Sequence, residues 1–362
     1  MQSIPMCPQR SDEWYILRNT RITASEIASC LMMTEQVCKI YIDEYKIENF
    51  KYNINKCCSH FDTKEEYIIN KCKSFYGENV FKDSIYTLWG KKYEAIATRL
   101  YKKKFNTDIL EFGFIPHQRL KYIGMSPDGV AWSTGRLLEI KCPFARKIQE
   151  GIPPQHYWQQ MQIQLEVANL QECDFLECEI KELSSEQIFC NQICTEKQDK
   201  GILLNIEDEP LNSEVKYIYP PDNLNTIDEF IDWKNQIINT NKRKIIPIYY
   251  FIEKWNVLNV KRKKEWFDSI KDTVKSIYKL IRKLQKNKDE FNKYVEIFEN
   301  EKNKDFINYF NTTECLIDNL SQYTSDSEFD MDIDIDTHID KNKEENDNTA
   351  TATKCLIIDS TE

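Results

Sequence analysis

From Gly124 to Pro143 the chain reads G-M-S-P-D-G-V-A-W-S-T-G-R-L-L-E-I-K-C-P. Two short apolar runs, separated by the turn residues Ser133, Thr134 and Gly135, have the form of a β-hairpin. Asp128 stands just before the first predicted strand, and Glu139 and Lys141 lie on the second. Pairing about the turn brings Asp128 close to Glu139. Strand side chains repeat with period two, so Lys141 shares a face with Glu139 while Leu138 and Ile140 point the other way, into a core. Two carboxylates and an ammonium therefore meet at one sheet edge over an apolar reverse face.

Those residue types suit metal-assisted phosphodiester chemistry. Mg²⁺ takes oxygen ligands in a near-octahedral array, commonly one or two carboxylates with waters and phosphate oxygens. It polarises the phosphate and lowers the pKa of water. An ammonium two residues after the second carboxylate is a compact, mobile charge suited to orienting that water and steadying the pentavalent phosphorus. Read without that chemistry, the hairpin is an ordinary one with a surface ion pair, worth about 0–1 kcal/mol.

Three further segments flank the hairpin in order. R-S-D-E-W-Y-I-L-R-N-T-R-I-T-A-S-E-I runs from Arg10 to Ile27, W-G-K-K-Y-E-A-I-A-T-R-L-Y from Trp89 to Tyr101, and Y-W-Q-Q-M-Q-I-Q-L-E-V from Tyr157 to Val167. With the hairpin they resemble the PD-(D/E)XK nuclease signature, and specifically the YqaJ-like viral recombinases that include the phage lambda-type exonuclease. The first is similar to that family's W-x-x-x-R-x-x-x-I-T-A-S, the second to its G-x-x-x-E helix, the third to its glutamine-bearing helix. The resemblance extends from Arg10 to Asp174.

The resemblance implies an α/β fold with a restriction-endonuclease-like three-layer core, a mixed central sheet flanked by helices. It implies an exonuclease working 5′→3′ on duplex ends and leaving 3′ single strands, with Mg²⁺ as cofactor and Mn²⁺ as a substitute. Asp128 and Glu139 are its expected metal ligands, with the Ile140 backbone carbonyl as a third and Glu94 as a candidate outer one. Lys141 and Gln160 are expected to position the water, with Gln162 in support, and Arg18 and Ser25 to hold the 5′ phosphate. A ring-like homotrimer and a single-strand annealing partner belong to the same expectation. Two alternatives stay open: an endonuclease of the same fold, and a catalytically silent DNA-binding recombination scaffold.

The residues can be read without the family too. Trp89, Tyr93, Ile96, Leu100 and Tyr101 recur at helical spacing, so Glu94 lies on a helix whose apolar face is buried. Thr23 or Ser25 suits a helix start with Glu26 in the first turn, and both a helix N-terminus and an arginine fork suit phosphate. Gln160 and Gln164 share one helix face, with Gln162 about 200° round. The family pattern favours Gln160 and Gln162, and Gln164 is left outside the expected site.

The 362 residues suffice for one large domain with additions. Hydrophobic residues make up 41%, and no apolar run approaches the roughly 18 needed to span a membrane. No basic-then-apolar leader opens the chain. The thirteen cysteines lack a paired framework and point to a reducing interior of a cell, host cytoplasm or nucleus for a viral protein. Cys190 and Cys194 form only a C-x-x-x-C pair, and Cys57, Cys58, His60 and Cys72 are scattered, so the cysteines read as small hydrophobes rather than a cluster or zinc site. No P-loop motif is present.

The formal charge of −10 is uneven: Ser321 to Glu362 holds twelve acids against three lysines, leaving the body nearly neutral and free to carry a basic groove. The expected organisation is a phosphate-binding segment at 1–34, a helical insertion at 35–85, the nuclease core at 86–260, a basic helical extension at 261–320 and an acidic disordered tail at 321–362. Trp255 to Phe310 reads as long helix, with Ile270, Val274, Ile277, Tyr278, Ile281 and Leu284 along one face and lysines along the other. Tyr250 to Lys254 resembles the closing helix of the exonuclease core. From Lys261 to Asp305 fourteen basic and nine acidic residues make a candidate surface for duplex backbone.

Overall fold

The structure, a computed structural model, describes residues 7–59, 61, 63–78, 83–211, 213 and 216–300. The expected acidic tail, the end of the basic extension after residue 300, and His60 lie outside the described residues. The strands are β1 (Ile22–Thr23), β2 (Met32–Met33), β3 (Asn53–Cys57), β4 (Ile109–Leu110), β5 (Ile115–Pro116) and β6 (Ile123–Met125). They continue with β7 (Gly129–Ala131), β8 (Leu137–Lys141), β9 (Glu172–Leu183), β10 (Asp199–Ile206), β11 (Tyr217–Ile218) and β12 (Ile245–Lys261). The helices are α1 (Asp12–Asn19), α2 (Ile27–Cys30), α3 (Glu35–Tyr45), α4 (Lys64–Phe75) and α5 (Ile85–Phe105). After them come α6 (Gln155–Ala168), α7 (Glu186–Asn191), α8 (Ile227–Thr240), α9 (Lys264–Lys286) and α10 (Lys288–Asn300).

Seven strands form the main sheet in the order β11-β10-β12-β9-β8-β7-β4. The sheet is mixed: β8 and β9 are parallel, and its other pairs are antiparallel. A parallel neighbour requires a crossover connection, and here α6 supplies it, which lays α6 across one face of β8 and β9. The opposite face packs on α5, where Tyr93, Ile96, Ala97 and Leu100 meet Leu138, Ile140, Leu176 and Ile252 in one buried cluster. The result is the expected three-layer α/β arrangement.

The hairpin forms as the sequence predicts. Gly129 pairs with Leu138 and Val130 with Leu137. Gly135, at φ +68°, takes the left-handed turn position that favours glycine, and its N–H donates to the Ala131 carbonyl at 2.8 Å. Helix starts follow the sequence signals as well. Ser11 accepts from the Trp14 N–H ahead of α1, and Ser84 accepts from the Thr87 N–H ahead of α5.

The C-terminal part differs from expectation. Tyr250 to Lys254 is not a helix but the middle of β12, and strand rather than helix continues through Trp255 to Lys261. The run I-I-P-I-Y-Y-F-I from Ile245 is β-branched and aromatic, and as a central strand between β10 and β9 it is covered on both faces, so no alternation betrays it. Helix begins only at Lys264 and breaks at Asn287, whose extended backbone separates α9 from α10. Most of the expected apolar stripe is buried along α9, with Ile270, Val274, Ile277, Ile281 and Leu284 in the core and Tyr278 half-buried.

The segment 35–85 is not wholly helical either. It holds α3 and α4, but β3 between them pairs antiparallel with β2. Its helices meet α9 directly: the Trp266 indole donates to the Val37 carbonyl at 2.9 Å, and the Tyr76 hydroxyl donates to the Leu284 carbonyl at 2.6 Å. Among the described residues no helix is long and apolar enough to cross a membrane.

Candidate active site

The hairpin brings Asp128, Glu139 and Lys141 together at the edge where β7 gives out. Asp128 Oδ2 accepts the Ile140 N–H at 2.6 Å, which fixes its carboxylate across from the middle of β8. A strand residue's N–H and C=O leave on the same side, so the Ile140 carbonyl faces the edge on which Asp128 stands. Lys141 Nζ donates to Glu139 Oε1 and lies 5.0 Å from the centre of the Tyr157 ring. Burial works against its charge, but the Glu139 and Asp128 carboxylates outweigh that and hold the ammonium protonated above its ordinary range.

Glu139 is 1% exposed and is held from the α6 side. Gln160 Nε2 donates to its Oε1 at 2.7 Å, and Gln164 Nε2 donates to its Oε2 at 2.7 Å. A carboxylate gripped at both oxygens by amides from one rigid helix has a fixed plane. The third glutamine faces elsewhere. Gln162 Nε2 donates to the Lys261 carbonyl at 2.9 Å and its Oε1 accepts the Lys263 N–H at 2.7 Å, so it joins the end of β12 to the start of α9. The expected supporting role of Gln162 is therefore corrected, and Gln164 takes that place. Helical spacing had put Gln160 and Gln164 on one face, and that signal was the sound one.

Glu94 comes from α5 and lines a cavity of about 700 Å³ with Asp128, Gln9, Arg10, Lys91 and Glu111. Burial raises the Glu94 carboxyl above the ordinary range; Arg10 and Lys141 pull it down, and Glu139 and Glu111 push it up. Asp128 is raised further, first by burial and then by the Glu139 and Glu94 charges. Three carboxylates crowd one sheet edge with Lys141 and Arg10 as their near cations. Among the described residues no three acidic, histidine or cysteine side chains close on a single point. The donor set is open and made of hard oxygens, which fits a cation that keeps several of its waters. Gln164 Oε1, buried and without a partner, adds an oxygen beside Glu139.

Arg18 and Ser25 are also brought together: Arg18 Nη2 donates to Ser25 Oγ at 3.3 Å, with Ser25 exposed. The expected helix start falls at Thr23, which forms a capping box with Glu26 around the 3₁₀ turn Ala24–Glu26 that leads into α2. The Arg18 guanidinium sits 4.5 Å from the Trp14 ring centre, and the Trp14 indole donates to Ser126 Oγ at 2.8 Å, two residues before Asp128. Gln9 Nε2 donates to the Pro127 carbonyl at 3.1 Å. The arginine and the carboxylates are thus fixed in one frame.

Sequence reasoning missed Lys71. This α4 lysine is 4% exposed and donates to the Arg18 carbonyl at 2.7 Å and to both Glu26 oxygens at 2.8 Å. Against its own burial, the Lys71 and Arg18 charges hold the Glu26 carboxyl below its ordinary range. The signal was present: a lysine between Ile68, Ile69 and Cys72 on an otherwise buried helix face needs a partner.

Residues 13–171 match the family model of the YqaJ-like viral recombinase domain, a match that covers the hairpin, the Arg18–Ser25 segment and α6. The chain is similar to the uncharacterized protein R354 of Acanthamoeba polyphaga mimivirus, 27% identical over 370 residues that cover 89% of this chain and 62% of that protein. It thus spans less than two thirds of that relative's length. Among solved structures it is similar to an alkaline exonuclease from Laribacter hongkongensis, at 17% identity and TM-score 0.44, covering 76% of this chain and 95% of that one. A phage-related exonuclease from Haemophilus somnus 129PT matches at 16% identity and TM-score 0.41, covering 73% and 94%.

Proposed function

We propose that the chain is a Mg²⁺-dependent deoxyribonuclease that digests duplex DNA from its ends, 5′→3′, and leaves 3′ single strands for recombination or repair. The observation that carries this is the Asp128–Glu139–Lys141 edge, with Glu139 clamped by Gln160 and Gln164, fixed through Trp14 and Ser126 to the Arg18–Ser25 pair. Asp128, Glu139 and the Ile140 carbonyl are the residues that would hold the ion, with Glu94 as an outer ligand, and Mn²⁺ has the same oxygen preference. Bound there, the metal supplies Lewis acidity to the phosphodiester.

The chain's own groups do the rest. Lys141 keeps a fixed positive charge where negative charge builds on the phosphate. Gln160 and Gln164 hold Glu139 in one orientation. Glu94, on the wall of the same cavity as Asp128, is suited as a carboxylate to ordering a water beside the ion. Arg18 and Ser25 offer a fork and a hydroxyl to a terminal 5′ phosphate, and an anchor for a strand end converts a phosphodiesterase into an exonuclease. The substrate partner is the duplex end. The homotrimer and annealing partner implied by the family are part of the same proposal.

The test is digestion of a linear duplex labelled at either end, with and without a 5′ phosphate, beside a covalently closed circle, in Mg²⁺ and in EDTA. Mg²⁺-dependent loss from the phosphorylated 5′ end, sparing the circle and absent in Asp128→Ala, is expected. In Arg18→Ala the preference for a 5′ phosphate should disappear. A circle cut as fast as the linear form makes the protein an endonuclease of this fold. DNA bound but uncut leaves a recombination scaffold.

A further inference from the structure

We infer that the exposed face of α9, from Lys275 to Lys286, is a sequence-independent contact surface for the phosphates of duplex DNA beside the strand end; this rests on the nuclease reading above. The twelve residues K-S-I-Y-K-L-I-R-K-L-Q-K contain five cations, Lys275, Lys279, Arg282, Lys283 and Lys286, and no acid. At 100° per residue, Lys275, Lys279, Arg282 and Lys286 fall on one narrow stripe. Their heads stand on the side opposite Val274, Ile277, Ile281 and Leu284, which are buried.

Two observations set this stripe apart from an ordinary solvated helix face. The lysines on either side of it are neutralised, Lys271 by Asp268 at 2.9 Å and Lys288 by Glu78. Within it Lys283 meets Glu290 at 3.1 Å and Arg282 donates to Gln285, but Lys275, Lys279 and Lys286 have no ion-pair partner among the described residues. Like charges at i, i+4 each destabilise a helix by about 0.2–0.5 kcal/mol, and the stripe stacks Lys275 on Lys279, Lys279 on Lys283, and Arg282 on Lys286. An external polyanion laid along the stripe would relieve this repulsion and release the small counter-ions that otherwise screen it.

The position names the polyanion. Gln285 Nε2 donates to the Asn19 carbonyl at 3.2 Å, one residue beyond Arg18, and Tyr278 stacks on Tyr122 with ring centres 5.3 Å apart, in the segment that leads into the hairpin. The helix that carries the stripe therefore touches the end of α1, which holds Arg18 of the proposed 5′-phosphate anchor. It is about 16 Å long at 1.5 Å per residue. Duplex DNA presents one negative charge per about 1.7 Å of axis, so such a stripe faces several phosphates at once.

The test uses the full chain carrying Asp128→Asn, in EDTA, so that binding is read without cleavage. A fluorescent duplex is titrated between about 50 and 200 mM salt, before and after Lys275→Gln, Lys279→Gln and Lys286→Gln together. The slope of log affinity against log salt should become shallower by about 2–3, with each single change contributing about 1, while helix content is kept. Lys181→Gln, which removes an exposed lysine already paired with Glu253, should leave the slope in place. Binding by the parent with an unchanged slope in the triple variant overturns the stripe and spares the nuclease reading. No DNA binding by the parent overturns both. Loss of poly-glutamate binding with duplex binding intact assigns the face to an acidic protein and overturns the duplex assignment.

Discussion

At Asp128 burial and repulsion act together. The carboxyl is raised far above its ordinary pKa, first by burial, then by Glu139 and Glu94. A carboxyl whose folded pKa exceeds its unfolded value stays protonated in the folded chain while the unfolded chain has already ionised. Stability is therefore fully present at acid pH and falls as pH rises through the window between the two values. Asp128→Asn, whose amide oxygen can still accept from Ile140, should gain on the order of 1 kcal/mol near neutrality, a rise in Tm of about 2–4 °C. The gain should vanish toward about pH 4. The same change should lower hydrolysis by about 10²–10³-fold or more. Mg²⁺ should raise the Tm of the parent, by neutralising the cluster, and leave that of Asp128→Asn almost unmoved. A variant that melts lower at neutrality and is equal at acid would sink this account of the site.

The α6 helix separates the proposed site from architecture within five residues. Gln160 and Gln164 reach Glu139 on one face, while Gln162 satisfies the Lys261 carbonyl and the Lys263 N–H on the other. Gln164→Ala should cut activity about 10–100-fold, as for groups that orient a metal ligand, with little loss of Tm. Gln162→Ala removes two hydrogen bonds to backbone groups at a part-buried junction and should cost about 1 kcal/mol, with turnover per folded molecule unchanged. Melting and single-turnover rates on the same preparations separate the two. The helical period in the sequence already grouped Gln160 with Gln164. The family pattern pointed to Gln162, and only the crossover from β8 to β9 shows which face meets the carboxylate.

Across the whole molecule, the segment between the first motif and the Trp89 helix is wired into the rest. Lys71 of α4 braces both the Arg18 carbonyl and Glu26, and α9 lies against α3 and α4 through Trp266 and Tyr76. Lys71→Met leaves the part-buried Glu26 carboxylate with only the Arg18 charge and the Thr23 N–H, and should cost about 1.5–3 kcal/mol. At temperatures where the variant is folded, its preference for a 5′ phosphate should weaken as well, measured as the ratio of rates on phosphorylated and unphosphorylated ends. Trp266→Ala removes a fully buried indole packed on Trp158, centres 5.2 Å apart, and should cost about 3–5 kcal/mol. It should melt α3 and the α6 junction together in hydrogen exchange. Independent melting of α9 would show that it is an appendage instead.

What the sequence determined alone is local. Period two in L-L-E-I-K set which residues face the core, the S-T-G turn set the register that places Asp128 opposite Glu139, and Thr23 with Glu26 set a helix start. These depend on a few neighbouring residues and on backbone geometry common to all chains. The tertiary structure decided what depends on distant partners. The apolar run Ile245–Ile252 is a central strand because β9 and β10 pair with its two edges, and a continuous apolar run has no period to announce that. Gln164 meets Glu139 because a parallel pair forces α6 across β8, and Lys71 meets the Arg18 carbonyl because α4 folds against α1. A buried polar side chain is chosen by the partner it meets, and that partner is fixed only when the chain has closed on itself.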